Sequence, residues 1–242
     1  MMENYILRGI GVDGFARVFQ VNIKEMVNYV KKLHGLNSFT TQEFSKILTA
    51  GALMSAMLKN DKDLITISLR CDGDIKGIIV TANSKNQLKG YVYEPSAVGD
   101  LGQGSVSVVK DLGLKEPIVS LSNLISSDIE KTLNHYFETS EQIKTILKFS
   151  NNGGYLVQLM PGASEEVRLK FDKIDLENDV KIYEKRAVEY FCDCSREKAL
   201  KAIISLGKEE LQDIIKTDGH INIHCHFCNS DYKFFEEDTK TM

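Results

Sequence analysis

The chain has 242 residues, 43% hydrophobic and 26% charged with 3 Pro and no Trp, which is the make-up of a soluble globular protein with room for one large domain and a small appendage. Its net charge of −4 and pI near 5.8 argue against a protein whose main work is gripping nucleic acid, because such proteins carry a basic stripe that neutralises phosphates. It has no apolar run of about eighteen residues and no apolar leader near Glu3 and Arg8, so no membrane span and no signal peptide are expected, and a cytoplasmic location is.

In chain order, residues 5–10 and 15–21 are apolar-rich runs joined around Asp13-Gly14, which predicts a β-hairpin. The literal G-x-G-x-x-G of residues 9–14 is therefore no dinucleotide fingerprint, since a strand follows it where a helix is needed. Asn22 is placed to cap a helix running to His34, with Gly35 as its stop. Thr40 and Glu43 form a capping-box pair. The helix they open carries Phe44, Ile47, Leu48, Met54, Met57 and Leu58 at helical spacing. Its small residues, Ala50, Gly51, Ala52, Ser55 and Ala56, would let another element approach closely. Residues 64–69 and 75–81 alternate around Cys71-Asp72-Gly73-Asp74, a second hairpin, and residues 88–93 add a strand. Residues 105–109 are strand-like, and Ser127 with Glu130 makes another capping box before a helix that ends near Glu138. Residues 143–149 and 155–160 are predicted strands around Asn151-Asn152-Gly153-Gly154, and Pro161-Gly162 precedes a short helix over residues 164–171. The fold class is α+β, with a large mixed sheet-and-helix domain over residues 1–171. Residues 172–189 differ: ten of these eighteen positions are charged, and the apolar ones follow no clean period. Such a stretch buries little surface of its own, which predicts a linker to a small domain over residues 190–242.

Four of the five cysteines fall in that last domain. In a reducing compartment, paired short cysteine motifs are metal or redox sites rather than a disulfide scaffold. Cys192-Asp193-Cys194 is followed, after thirty intervening residues, by Cys225-His226-Phe227-Cys228. Zinc takes four ligands at tetrahedral corners, and two close pairs on two chain turns supply them. Cys192, Cys194, Cys225 and Cys228 are therefore the predicted ligands of one zinc ion in the reduced protein. Between the pairs, Ser195 is placed to cap a helix to Leu206, with Gly207 after it, and Leu211, Ile214 and Ile215 mark a second helix ended by Gly219. Ile221, Ile223, Tyr232 and Phe234 flank the second pair like the strands of a hairpin. His220, His224 and His226 are read as surface residues rather than ligands, and Cys71 as a small core residue.

A domain this small folds insecurely alone, and structural zinc supplies about 10–16 kcal/mol. The same dependence makes it switchable, because thiolates are the species that peroxide and hypochlorous acid oxidise. A disulfide closed within Cys-x-Cys would be a tight, strained ring of the labile kind. Spacing leaves both readings open, a purely structural zinc and a redox centre.

Three segments, Phe191-Cys192-Asp193-Cys194-Ser195-Arg196-Glu197, Leu206-Gly207-Lys208-Glu209-Glu210-Leu211 and Cys225-His226-Phe227-Cys228-Asn229 with Tyr232 and Phe234, resemble one family. It is the redox-regulated 33-kDa chaperonin family of HslO-type heat-shock holdases. Val108-Val109-Lys110-Asp111-Leu112-Gly113, Gln158-Leu159-Met160-Pro161-Gly162, Leu58-Lys59 and the Asp72-Gly73 hairpin resemble it too, so the likeness covers nearly the whole chain. The resemblance implies a cytoplasmic stress-response chaperone and no enzyme, inactive while reduced and zinc-bound. It implies disulfides Cys192–Cys194 and Cys225–Cys228 in the oxidised form, with zinc released and the zinc domain and linker unfolded. Unfolding client proteins would then be held without ATP, and oxidised members are often homodimers; the missing Walker A lysine motif agrees with ATP independence. The client surface is expected in apolar parts of the large domain, uncovered when residues 172–189 and the zinc domain detach. The chain is shorter than the family pattern between Tyr93 and Val106, Glu141 and Tyr155, and Phe171 and Phe191. The last of these places shortens the family's helical linker, which senses unfolding conditions.

Two other function classes compete. One is a zinc-ribbon-like nucleic-acid-binding protein with a purely structural zinc, which the acidic balance disfavours. The other is a metal-stabilised enzyme, for which His34, His135 and the scattered carboxylates offer no pairing at catalytic spacing.

Overall fold

The computed structural model describes residues 4–204 and 208–240. They fall into two compact units, divided between Phe191 and Cys192. The first unit begins with β1 (Tyr5–Gly11), a single 3-10 turn (Val12–Gly14) and β2 (Ala16–Asn22), followed by α1 (Lys24–Leu33) and α2 (Ser38–Ser55). Five strands come next: β3 (Leu64–Cys71), β4 (Gly77–Asn83), β5 (Gln87–Val92), β6 (Gly104–Asp111) and β7 (Ile118–Asn123). After α3 (Ile129–Thr139) come β8 (Thr145–Ser150), β9 (Gly153–Leu159), α4 (Glu165–Phe171), β10 (Val180–Ala187) and β11 (Glu189–Tyr190).

The strands make two sheets. One has the order β10-β1-β2-β9-β8 and is antiparallel throughout. The other has the order β11-β5-β4-β3-β6-β7, antiparallel except where β11 lies parallel to β5. The α+β class read from the sequence is thus the architecture found.

Helix α2 is the axle of this unit, packing on β3, β4 and β5 of one sheet and on β2 and β9 of the other. Thirteen of its eighteen residues are buried, so it is apolar or small all round rather than on one stripe. The expected close approach is made at Gly51, where a Cβ would lie 2.9 Å from Val80 Cγ1 of β4. Phe44, Ile47, Leu48 and Leu53 join Phe19, Ile67, Val80, Leu133 and Phe137 in the main core.

Three helix starts differ from the expected ones. Helix α2 opens a turn earlier than Thr40: Asn37 is the N-cap, its Oδ1 accepting from Thr40 N at 3.0 Å, and Glu43 pairs with Lys46 at 2.7 Å instead. Helix α3 is capped by Asp128 rather than Ser127, whose hydroxyl donates to Gly102 O. Asn22 ends β2, and its side chain accepts from Lys24 N at 3.1 Å from outside α1. In each case neighbouring polar residues compete for the same orphan N–H groups, and the path of the preceding strand or loop chooses between them.

Residues 172–189, expected to link two domains, belong to the first unit. Their charged stretch supplies β10 as an edge strand on β1, where Arg8 pairs with Glu184 at 2.9 Å. Alternating charges on an edge strand keep it soluble, which is why the stretch shows no apolar period. Room for it comes from Gly9, where a Cβ would meet Val180 Cγ1 at 2.8 Å. The glycines that mimic a dinucleotide motif therefore serve strand packing. Ahead of β10, Ile174 and Leu176 cover the outer face of the five-stranded sheet together with α4, closing a second small core of Val12, Ala16, Val18, Val157, Leu159, Val167 and Phe171.

The second unit holds α5 (Arg196–Ile204), α6 (Lys208–Asp218), the hairpin β12 (Ile221–Cys225) and β13 (Ser230–Phe234), and α7 (Glu236–Lys240). The Ser195 cap is in place, its Oγ accepting from Lys198 N at 3.2 Å. The expected stop at Gly207 lies outside the described residues. Among the described residues the core here is small, with Ile203, Leu211, Ile221 and Phe234 as its buried members. Among the described residues no helix of either unit is long and apolar enough to cross a membrane.

Candidate metal centre

The four cysteines predicted as ligands come together in the second unit. Cys192 and Cys194 lie on the extended segment just before α5, and the Ser195 cap turns the chain into the helix directly after them. Cys225 ends β12, and Cys228 closes the tight turn to β13. That turn is held by Cys225 O, which accepts from Cys228 N at 3.2 Å and from Asn229 N at 2.8 Å. Asn229 takes the left-handed conformation with φ +54°, which an asparagine tolerates better than most residues. One strand pair and one helix start thus aim two sulfurs each at a common point.

All four Sγ atoms lie within 4.8 Å of one another, and all four residues are half-buried free thiols. Cys192 Sγ is 3.7 Å from Cys225 Sγ, and Cys194 Sγ is 3.1 Å from Cys228 Sγ. A zinc–thiolate bond of about 2.3 Å places tetrahedral sulfurs about 3.8 Å apart, so the donor set and its spacing fit a four-thiolate metal site. Among the described residues this is the one cluster of such groups arranged to hold a metal ion.

The surroundings tune the sulfurs unequally. Burial pushes the Cys192 and Cys194 thiols up. At Cys228 burial opposes ionisation too, but contacts to Ser230 and Cys194 outweigh it and bring the thiol down to about 7. Tyr232 has its hydroxyl 3.2 Å from Cys194 Sγ, a contact that raises the phenol to about 12. Ser230 Oγ stands 3.2 Å from Cys228 Sγ. Sequence reading placed Tyr232 as a strand residue and in the family likeness, with no contact to a sulfur, and did not single out Ser230. The signal available was their position just after Cys228, on a strand whose register with β12 turns them toward the sulfurs.

The three histidines stand apart from this cluster. His224 Nδ1 pairs with Asp231 Oδ1 at 2.9 Å, His226 packs its ring against His224, and His220 contacts Asp218 O and the Phe235 ring. Cys71 is half-buried at the edge of the main core, with burial raising its thiol.

Arg196 fastens the site's frame. Its guanidinium donates to Lys233 O at 2.6 Å, pairs with Asp238 at 2.7 Å and lies 4.4 Å from the centre of the buried Phe234 ring. Helix α5, strand β13 and helix α7 are tied by this one side chain.

Comparison with known proteins agrees with the likeness read from the motifs. The sequence model of a family described as Hsp33 protein matches residues 4–176 and 168–235. A 33 kDa chaperonin of Lachnoclostridium phytofermentans is 33% identical over 287 positions, which take in 100% of this chain and 98% of that protein. One from Acetivibrio thermocellus is 34% identical over 283 positions, 98% of this chain and 96% of that protein. Both alignments are longer than the 242 residues of the chain, so these relatives carry internal residues that it lacks. The crystal structure of a 33 kDa chaperonin, a heat shock protein 33 homolog from Thermotoga maritima, matches with a TM-score of 0.85 at 27% identity over 99% of this chain and 97% of that one. With a family match along most of its length and relatives above 30% identity over their whole span, the chain belongs to the Hsp33 protein family.

Proposed function

We propose that this protein is an ATP-independent holdase chaperone of the cytoplasm whose activity is switched on by oxidation. The observation that carries the reading is the convergence of Cys192, Cys194, Cys225 and Cys228 in a unit whose core, among the described residues, has four buried members. Zinc, when bound, holds the four sulfurs as thiolates and fastens a fold that its own core does not secure. The family's chaperone names support the client-binding half of the proposal.

Peroxide removes the ligands by turning thiolates into disulfides, for which the family likeness gives the pairs Cys192–Cys194 and Cys225–Cys228. In the reduced centre Cys192 Sγ also lies 3.7 Å from Cys225 Sγ and Cys194 Sγ 3.1 Å from Cys228 Sγ, so each sulfur has a neighbour from the other pair. Closing the sequence-near pairs draws each sulfur away from that neighbour, a movement available once the centre comes apart. The client surface we assign is the outer face of the five-stranded sheet, with Val18, Ile146, Tyr155 and Val157 beneath α4, Ile174 and Leu176. Lifting residues 172–189 would take away Ile174 and Leu176 and bare the part of it not under α4, and an apolar patch of that kind suits unfolding chains or a second oxidised copy.

The test is zinc content, free-thiol count and aggregation suppression, measured before and after peroxide with mild heat. The expected outcome is one zinc and five thiols in the reduced protein, then loss of zinc and four thiols with a gain in suppression of an unfolded client. Oxidation without that gain defeats the proposal. Replacing Cys192 and Cys194 together by Ser is expected to abolish tight zinc binding, and unchanged zinc affinity would contradict the ligand assignment.

A further inference from the structure

The two sheets of the first unit end on edges of opposite character. Strand β10 closes one with Lys181, Glu184, Lys185 and Arg186, charges that keep a further strand away. Strand β7 closes the other with Ile118-Val119-Ser120-Leu121-Ser122-Asn123, a run with no charged side chain. Among the described residues no strand pairs with its outer edge. Val119 and Leu121 are each 66% exposed and Ile118 47%, so aliphatic side chains stand in solvent along it. The main chain is oriented as well. Leu124 N donates to Gly104 O at 2.8 Å, which makes these two a hydrogen-bonded pair continuing the β6–β7 ladder. Such pairs alternate along antiparallel strands, so Ser122 and Ser120 turn their amides and carbonyls to Val106 and Val108 of β6. Those of Val119, Leu121 and Asn123 face away from the sheet. Val119 and Leu121 thus offer an exposed aliphatic side chain and an outward pair of main-chain groups at the same place.

We infer that β7 is a docking edge for extended, uncharged segments of unfolding client chains, which join the six-stranded sheet as a further strand. Main-chain bonds to Val119, Leu121 and Asn123 are indifferent to the client's sequence, while the aliphatic side chains beside them favour apolar segments over charged ones. A second copy of the chain suits the edge less well. A ladder on six residues falls far short of the about 20–30 residues a side of a stable interface, whereas a brief hold on many different chains needs no more. The edge is open without any movement of residues 172–189. It therefore takes client segments in the reduced and the oxidised protein alike, and holds them weakly by itself. The inference rests on the chaperone half of the function proposed above, and adds a second, sequence-tolerant contact to the face of the five-stranded sheet.

The probe is a dye-labelled, end-blocked octapeptide of three Val-Thr repeats between two lysines, added to the full-length reduced protein. Fluorescence anisotropy reads its binding, and amide exchange locates it. Weak binding and slower exchange at Val119, Leu121 and Asn123 are expected. The fully N-methylated peptide, which keeps the side chains and loses every donor, is expected not to bind. Leu121→Pro takes one N–H from the open edge and leaves the ladder to β6 in place, so binding should weaken about fivefold. Leu121→Lys tests the same edge where proline disturbs the strand, and should weaken binding by at least as much. Val98→Lys, at a loop residue that is 68% exposed, should leave it unchanged. Unchanged exchange along β7, equal binding of the N-methylated peptide, or full binding by both Leu121 variants overturns the inference. Protection of the same amides without peptide, rising with protein concentration, gives the edge to a second copy and overturns it too. The holdase reading fails separately, if the peptide docks as expected and the oxidised protein still suppresses no aggregation.

Discussion

Glu141 lies in a half-buried network where its carboxylate accepts from the Tyr136 hydroxyl and pairs with the Lys110 ammonium. Burial alone would raise this carboxyl, but the two partners outweigh it and hold the group below its ordinary 4.5. A carboxyl depressed in the folded state adds stability above its unfolded value and loses it as pH falls through the folded one. Glu141→Gln should therefore lower the unfolding midpoint at neutral pH and flatten its fall in acid; a parallel acid profile in thermal melts would argue against the assignment. The network was not legible in the sequence, since no local spacing joins residues 110, 136 and 141. The cysteines were legible for the opposite reason. A tetrahedral ion takes its ligands from tight turns, so the chemistry leaves its mark as short spacing along the chain. Tyr232 and Ser230 reach the sulfurs through hairpin register, and the same spacing on a differently paired strand would point elsewhere.

At the scale of elements, strands β3 to β6 and the hairpin of β12 and β13 were readable because alternation and turn residues are local signals. Strands β7 and β10 were not, being edge strands defined by partners distant in sequence. Their exposed or charged faces erase the alternation that marks a half-buried strand. The end of this second case is held by Tyr190 on β11. Its hydroxyl donates to Gly90 O at 2.6 Å, accepts from Gly90 N at 3.2 Å and meets His34 Nε2 at 3.3 Å, while its ring packs on Tyr29. A net worth of about 1 kcal/mol for such bonds corresponds to roughly fivefold in local opening. Tyr190→Phe is thus expected to speed amide exchange over residues 180–190 by that factor in the reduced protein while α2 stays protected. Equal exchange in both proteins would show that the hydroxyl does not anchor the strand.

For the molecule as a whole, the two units differ in what sustains them. The first unit has a continuous core built on α2 between two sheets, whereas the second has, among the described residues, four buried core residues and a cluster of thiols. Chelation should therefore melt the second unit selectively. Calorimetry with and without a strong chelator is expected to show one transition unchanged and the other lost or shifted far down in temperature; a common shift of both would mean that the units unfold as one.

The sequence by itself determined the α+β class, most of the regular elements and the four candidate ligands, because these depend on period, capping and ligand spacing over a few residues. Only the tertiary structure decided that a charged stretch becomes a sheet edge, that α2 is shared by two sheets, and that the hydroxyls of Tyr232 and Ser230 meet two of the four sulfurs. Each of those outcomes turns on strand register and on contacts between residues far apart in the chain, where local pattern carries no information.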